Sequence, residues 1–227
     1  MIRFVFFDLD DTILDFLKSE EEALSKTLLA FGIQPTAAVT SAYSRINLAQ
    51  WKMLERGEIT RDALKVRRFK LLFDELGLDL DAEAARVRYE ENLSHTCYFV
   101  PNALRLLDTL TGKYRMFIVS NGITAVQNGR IAASGIAKYF EGIFLSEEIG
   151  YVKPQKEFFT RCFAEISDFD PTRAIIIGDS LSSDIRGGIN AGIKTCLFNY
   201  RNVPADPNTV PDFETRDLCE IPNILEQ

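Results

Sequence analysis

The sequence predicts an α/β fold, a doubly wound parallel sheet core carrying an inserted α-helical domain, and three observations lead to it. Short β-branched and aromatic runs alternate with helical segments over the second half of the chain, as in a parallel sheet covered on both faces. Residues 16–95 hold helical periodicity and no comparable strand. The first apolar run, Ile2 to Phe7, ends abruptly in DLDD, as a buried strand does when it delivers acids to its C-terminal end.

Taken in order, IRFVFF at 2–7 is the first strand. Helical stretches follow at Phe16 to Phe31, Ala37 to Arg56 and Arg61 to Leu76, each ending beside a glycine, Gly32, Gly57 or Gly77, the residue that most easily closes a helix. A fourth runs from Asp81 to Leu93. The four form a bundle inserted after the first strand, so residues 1–15 and 96–227 are expected to make the core domain and 16–95 a helical cap. Next come a helix from Pro101 to Leu110, the strand RMFIVS, and helix again through Ile136. FEGIFLSEE, RAIIIGDS and KTCLFN supply three further strands, separated by helices at Gln155 to Ile166 and Ser183 to Ala191. The stretch from Arg201 to Gln227, with Pro204, Pro207, Pro211 and Pro222, reads as irregular surface structure with one short helix.

Composition narrows the function. A chain of 227 residues with 46% hydrophobic and 26% charged residues can bury a full core. A net charge of -7 argues against a nucleic-acid polymer as partner, since phosphate-backbone binding needs a concentrated field of Lys and Arg. The four cysteines lack C-x-x-C spacing and read as reduced, mostly buried thiols. The opening apolar run is too short for a signal peptide or membrane span, so a cytoplasmic protein without membrane attachment is expected. With His95 as the only histidine, Ser-His-Asp chemistry and multi-histidine metal sites have almost nothing to work with. Carboxylates are the candidate catalysts.

In an open parallel sheet the ligand site lies outside the carboxyl ends of the strands. Asp8 and Asp10 end the first strand, Asp179 ends RAIIIG, and Asp184 follows five residues later. Crowded carboxylates repel unless a cation neutralises them, and hard oxygen ligands of this number suit magnesium better than calcium. Ser120 and Asn121 follow another strand and precede Gly122, placing a hydroxyl, an amide and backbone N–H groups where an anion can meet them. Lys153, just past a strand end in GYVKPQKEF, can neutralise phosphate as a compact charge.

DLDDT at 8–12, SNG at 120–122, KP at 153–154 and GDSLSSD at 178–184 resemble the four ordered motifs of the haloacid-dehalogenase superfamily. The resemblance implies a Rossmann-like core, with the helical insertion as a cap over the active site. It makes Asp8 the nucleophile that forms an aspartyl-phosphate and Asp10 the general acid and base. Ser120 and the Asn121 backbone would hold phosphoryl oxygens, with Lys153 balancing their charge. Asp8, the Asp10 carbonyl and Asp179 would bind Mg2+, and Asp184 would act on the ion directly or through another ligand. Haloacid dehalogenases lack the acid two residues after the nucleophile, so Asp10 favours phosphoester hydrolysis: an alkoxide leaving group needs a proton and a halide does not. A phosphonatase would need a cap lysine, and nothing in the sequence marks Lys52, Lys65 or Lys70 for that role.

Within the superfamily, RINLAQWKMLERGEIT at 45–60 and IGDSLSSDIRGGINAGIKTCLFN at 177–199 resemble bacterial pyrimidine 5'-nucleotidases with a helical cap. The implied substrate is a small phosphorylated metabolite, a nucleoside monophosphate. Phosphatases of sugar phosphates or phosphoglycolate, a phosphomutase and, from another class, an Asp-phosphorylated signalling receiver are the alternatives. On a helix, Asn47, Trp51 and Glu55 share a face; Trp51 is a candidate to stack on a base and Asn47 to bond its edge, the other reading of Trp51 being a cap-core residue. A monomer and a homodimer both fit.

Overall fold

A computed structural model describes all residues 1–227. Six parallel strands form one sheet in the order β3-β2-β1-β4-β5-β6: β1 (Phe4–Phe7), β2 (Arg115–Ser120), β3 (Gly142–Leu145), β4 (Ala174–Gly178), β5 (Lys194–Phe198) and β6 (Phe213–Thr215). β1, fully buried as FVFF, pairs with β2 on one side and β4 on the other. The winding direction reverses there, and the carboxyl end of β1 opens into the crevice where open α/β sheets bind ligands.

Between β1 and β2 lie α1 (Phe16–Ala30), α2 (Ala37–Glu55), α3 (Arg61–Leu76), α4 (Ala82–Ser94) and α5 (Ala103–Leu110). Asp15, Thr36, Thr60 and Asp81 cap the first four by accepting hydrogen bonds from first-turn N–H groups. These four gather an apolar cluster of their own around Tyr43, Phe69, Leu72 and Tyr89. The chain enters and leaves this insertion side by side: Leu14 bridges Phe99, and Asp15 N–H donates to the Tyr98 carbonyl at 2.8 Å.

The second half carries α6 (Thr124–Ser134), α7 (Ser146–Ile149), α8 (Lys156–Ala164), α9 (Arg186–Ala191) and α10 (Ile221–Leu225). One face of the sheet packs Val5, Phe7, Ile118 and Ile177 against α5 and α10; the other packs Phe6, Phe117 and Ile176 against α8. The insertion is seated on α6, where Gly129 is obligatory: a Cβ there would lie 2.8 Å from the Ser94 carbonyl. No helix is long and apolar enough to cross a membrane.

The elements depart from the sequence expectations at three places. Residues 101–102 form a turn, Asn102 taking a left-handed conformation, so α5 starts at Ala103. The chain from Ser180 to Arg186 widens into a π-turn over Leu181–Ile185, so Asp184 sits on that turn and not at a helix start. The C-terminal stretch is not irregular surface: β6 adds a sixth strand beside β5, and Leu218, Ile221 and Leu225 are completely buried. Pro211 precedes the strand and Pro222 opens α10, where a missing N–H leaves no bond unmade.

Candidate active site

Three strand ends, those of β1, β2 and β4, and the loop before α8 build one wall of the crevice. Asp8 continues β1, its N–H donating to the Ile177 carbonyl at 2.9 Å. Lys153, 1% exposed, reaches from the loop before α8 and donates to Asp8 Oδ1 at 2.5 Å, Asp184 Oδ1 at 2.6 Å and the Val119 carbonyl at 2.8 Å. Three acceptors use all three ammonium hydrogens. Burial alone would lower the Lys153 pKa, but Asp184 and Asp8 outweigh it and hold the ammonium charged. Asp184 is completely buried and its second oxygen accepts from Ser180 N–H at 3.1 Å. Gly178 makes room for it, since a Cβ there would fall 2.3 Å from Asp184 Oδ2.

Carboxylate oxygens of Asp8, Asp179 and Asp184 lie within 4.8 Å of one another. Lys153 is the one cation bonded within this trio, and the Asp179 carboxylate makes no hydrogen bond in the protein. Burial raises the pKa of both Asp8 and Asp179; for Asp8, Lys153 pulls the other way, and for Asp179 the charges of Asp8 and Asp184 raise it further. Three acids against one ammonium leave an excess of negative charge, and the hard-oxygen donor set fits a magnesium ion.

Asp10 is held separately. Arg130, completely buried on α6, pairs with its Oδ1, and Gln127 donates to its Oδ2 at 2.7 Å. The same Gln127 Nε2 lies 2.8 Å from Ser120 Oγ, tying the general-acid candidate to the phosphate-binding candidate. Asn121 performs a different task from the one its amide invited. Its side chain exchanges two 2.9 Å hydrogen bonds with the backbone of Lys153, so the amide fixes the lysine loop and is not free to face an anion.

A cavity of about 370 Å3 extends from Asp8, Asp10, Ser120 and Lys153 to the helical insertion. Asn47, Trp51 and Glu55 all line it. Trp51 also packs against the insertion's apolar cluster, with the Arg61 guanidinium 5.7 Å from its ring. Arg61 in turn donates to the Asn121 carbonyl and, at 2.6 Å, to Ser146 Oγ, joining insertion to sheet at the strand-end loop.

Several residues at the site were not singled out by sequence. Gln127 and Arg130 lie one helical turn apart just after SNG, and that spacing is the signal that could have found them. Glu20, Ser44 and Arg68 also line the cavity, from three different helices, and no contiguous motif announces them.

The haloacid dehalogenase-like hydrolase family model matches residues 5–198. The chain is 36% identical to the HAD-hydrolase YfnB of Bacillus subtilis over 98% of this chain and 95% of that one. It is 36% identical to pyrimidine 5'-nucleotidase PynA of Streptococcus pneumoniae, covering 99% of this chain and 98% of the relative, and 28% identical to pyrimidine 5'-nucleotidase YjjG of Escherichia coli, covering 97% and 96%. A crystal structure of YfnB, described as bound to magnesium and as revealing interdomain movement, superposes with a TM-score of 0.95 over 100% of this chain and 99% of that one.

Proposed function

Because the chain belongs to the haloacid dehalogenase-like hydrolase family, we propose that it is a magnesium-dependent phosphatase of nucleoside 5'-monophosphates that works through a phosphorylated Asp8. The observation that carries the phosphatase reading is the presence of Asp10 in the same cavity, where an acid can serve an oxygen leaving group. The nucleotide reading rests on full-length similarity to two pyrimidine 5'-nucleotidases and on the aromatic, polar wall around Trp51.

Asp8 Oδ1 is held by Lys153 while Oδ2 has no protein partner, leaving one oxygen oriented for attack. In the first step this oxygen bonds to phosphorus, and the bond from phosphorus to the nucleoside 5'-oxygen breaks with its electron pair on that oxygen. Asp10 supplies the proton, and the nucleoside departs as an alcohol. In the second step Asp10 takes a proton from water, water oxygen bonds to phosphorus, and the Asp8–phosphorus bond breaks to release phosphate. Ser120 and backbone N–H groups of the 120–122 loop bind phosphoryl oxygens, and Lys153 balances their charge. Asp8, Asp179 and the Asp10 carbonyl, with Asp184 directly or from behind, would hold the magnesium, which supplies neutralisation of developing phosphoryl charge.

Residues 16–95 act as the cap in this reading, and residues 1–15 with 96–227 as the catalytic domain. A substrate cavity walled on one side by the helical insertion suits turnover better than the stable switch of a receiver. Lys52, Lys65 and Lys70 do not line the cavity, so a Schiff-base phosphonatase finds no support. Four unbridged cysteines accord with action in a reducing cytoplasm.

The test is phosphate release with magnesium from nucleoside monophosphates, sugar phosphates and phosphoglycolate, with Asp8→Asn in parallel. Preference for nucleotides without any added acceptor is expected. Preference for sugar phosphates would overturn the nucleotide assignment, and phosphate appearing only on an acceptor sugar would mean a mutase. Trp51→Ala should raise KM for a nucleotide far more than for p-nitrophenyl phosphate; equal effects would make Trp51 a packing residue.

A further inference from the structure

The helical wall of the cavity holds more buried polarity than packing requires. Glu20 on α1, Asn47 on α2 and Arg68 on α3 are 4%, 4% and 1% exposed, yet all three line the cavity. Glu20 Oε1 accepts from Asn47 Nδ2 at 2.7 Å, Glu20 Oε2 accepts from Ser44 Oγ at 3.3 Å, and Asn47 Oδ1 accepts from Arg68 at 3.2 Å. Burying the Glu20 carboxylate without a direct ion pair is unfavourable, and an apolar contact between the helices would hold them at least as well.

The network is also incomplete. Arg68 NH2 is buried without a hydrogen-bond partner, its nearest acid, Glu90, standing 3.7 Å away. Asn47 keeps a second amide hydrogen, and its carbonyl and the Glu20 carboxylate keep lone pairs. Donors and acceptors therefore line the same cavity as Trp51, with Leu17 and Leu48 as apolar members of the lining.

We propose that Glu20, Ser44, Asn47 and Arg68 form the specificity site for the leaving group, reading the hydrogen-bonding edge of a planar amide-containing heterocycle such as a pyrimidine base. Glu20 is the residue that sets the preference. The proposal rests on the nucleotide phosphatase reading and deepens it. A sugar phosphate or phosphoglycolate has no planar edge with adjoining donor and acceptor and leaves these groups unpaired, whereas a pyrimidine base offers an N–H or ring nitrogen next to carbonyl and amino groups. Burial raises the pKa of Glu20 to about 7 against the opposing pull of Arg68, Ser44 and Asn47, which suits a group that faces either an acceptor or a donor on the base.

The experiment measures kcat and KM of wild type, Glu20→Gln and Ser44→Ala with uridine, cytidine and ribose 5-phosphates and p-nitrophenyl phosphate, with thermal melts of each variant. Glu20→Gln keeps the shape and replaces an acceptor with a donor. It should change the uridine-to-cytidine ratio of kcat/KM by roughly tenfold or more through KM. Its loss on at least one nucleotide should exceed its loss on ribose 5-phosphate by a similar factor. Ser44→Ala should shift the same ratios in a smaller measure. Equal proportional losses on all four substrates, or unchanged ratios in a folded variant, would overturn the specificity site while leaving the nucleotide reading standing. A wild type that prefers ribose 5-phosphate would overturn both.

Discussion

The two walls of the cavity are made in different ways. On the sheet side, Lys153 and the two acids bonded to it are pinned by backbone as well as by side chains: Lys153 by the Val119 carbonyl and the Asn121 amide, Asp184 by Ser180 N–H, Asp8 by continuation of the β1–β4 ladder. On the helical side, Glu20, Asn47 and Arg68 hold one another through side chains that project from three separate helices. Fixed dipoles suit a phosphoryl group that is the same in every substrate. Side-chain networks that can shift with the helices suit a leaving group that differs, so the chemistry should be brittle and the selectivity adjustable.

The sharpest way to break that contrast is at the brittle wall. Asp8→Asn removes the nucleophile and should lower turnover by roughly a thousandfold or more on every substrate, p-nitrophenyl phosphate included. A variant that kept activity on activated esters would show that another group attacks phosphorus. Lys153→Met should come next. It leaves Asp8 and Asp184 buried without their shared cation, a loss of about 3–5 kcal/mol in unfolding free energy. Urea denaturation with and without magnesium checks this: part of the loss should return with the ion, because it competes for the same uncompensated charge.

The same contrast governs how much of the molecule could be read from the sequence. DLDDT, SNG, KP and GDSLSSD are contiguous, and the ends of β1, β2 and β4 deliver three of them to the cavity that holds Asp8, Ser120, Lys153 and Asp179; Lys153 is not just past a strand end, because α7 intervenes after β3 and the loop before α8 carries the lysine in. The helix ends were equally legible where glycine closes them, as at Gly77, whose left-handed conformation no β-branched residue adopts comfortably. Glu20 was not legible. It lies in KSEEEALS, which reads as a solvated helix face, and only tertiary packing buries Glu20 while leaving Glu21 exposed. β6 escaped notice because three residues carry no alternation, and its pairing with β5 becomes apparent only once the sheet exists. Asn121 shows the opposite error: its position was plain, but the partner its amide chose, 32 residues away, was not.

A smaller effect should arise where the two walls touch. Arg61 leads from the start of α3 to the Asn121 and Gly122 carbonyls and to Ser146, and Lys65 reaches Glu147 at 2.9 Å. Arg61→Ala removes hydrogen bonds that join the insertion to the 120–122 loop, and it also bares one side of Trp51. At about 1–2 kcal/mol for such bonds, KM should rise several-fold up to roughly tenfold for nucleotides. The change in kcat should be smaller, because no atom of Arg61 is bonded to Asp8 or Asp10. A fall in kcat alone would mean that Arg61 acts on the chemistry and not on how the walls meet.

The mildest test uses pH, and it reads the helical wall through its buried acid. Glu20 has its pKa raised from 4.5 to about 7 by burial, so the folded protein holds this proton over a range in which the unfolded chain has released it. Stability from this group is therefore fully present below about pH 4.5, declines as pH rises through about 7, and is absent above that. The difference between the two values bounds the effect at roughly 3 kcal/mol. Unfolding free energies of wild type and Glu20→Gln, measured by urea denaturation at several pH values between 5 and 8, should diverge, with the wild type losing stability relative to the variant as pH rises. Groups common to both proteins, including the Asp8 cluster, cancel in that difference. Parallel curves would place Glu20 in contact with water, and the helical wall would then hold no buried acid that titrates differently from the unfolded chain.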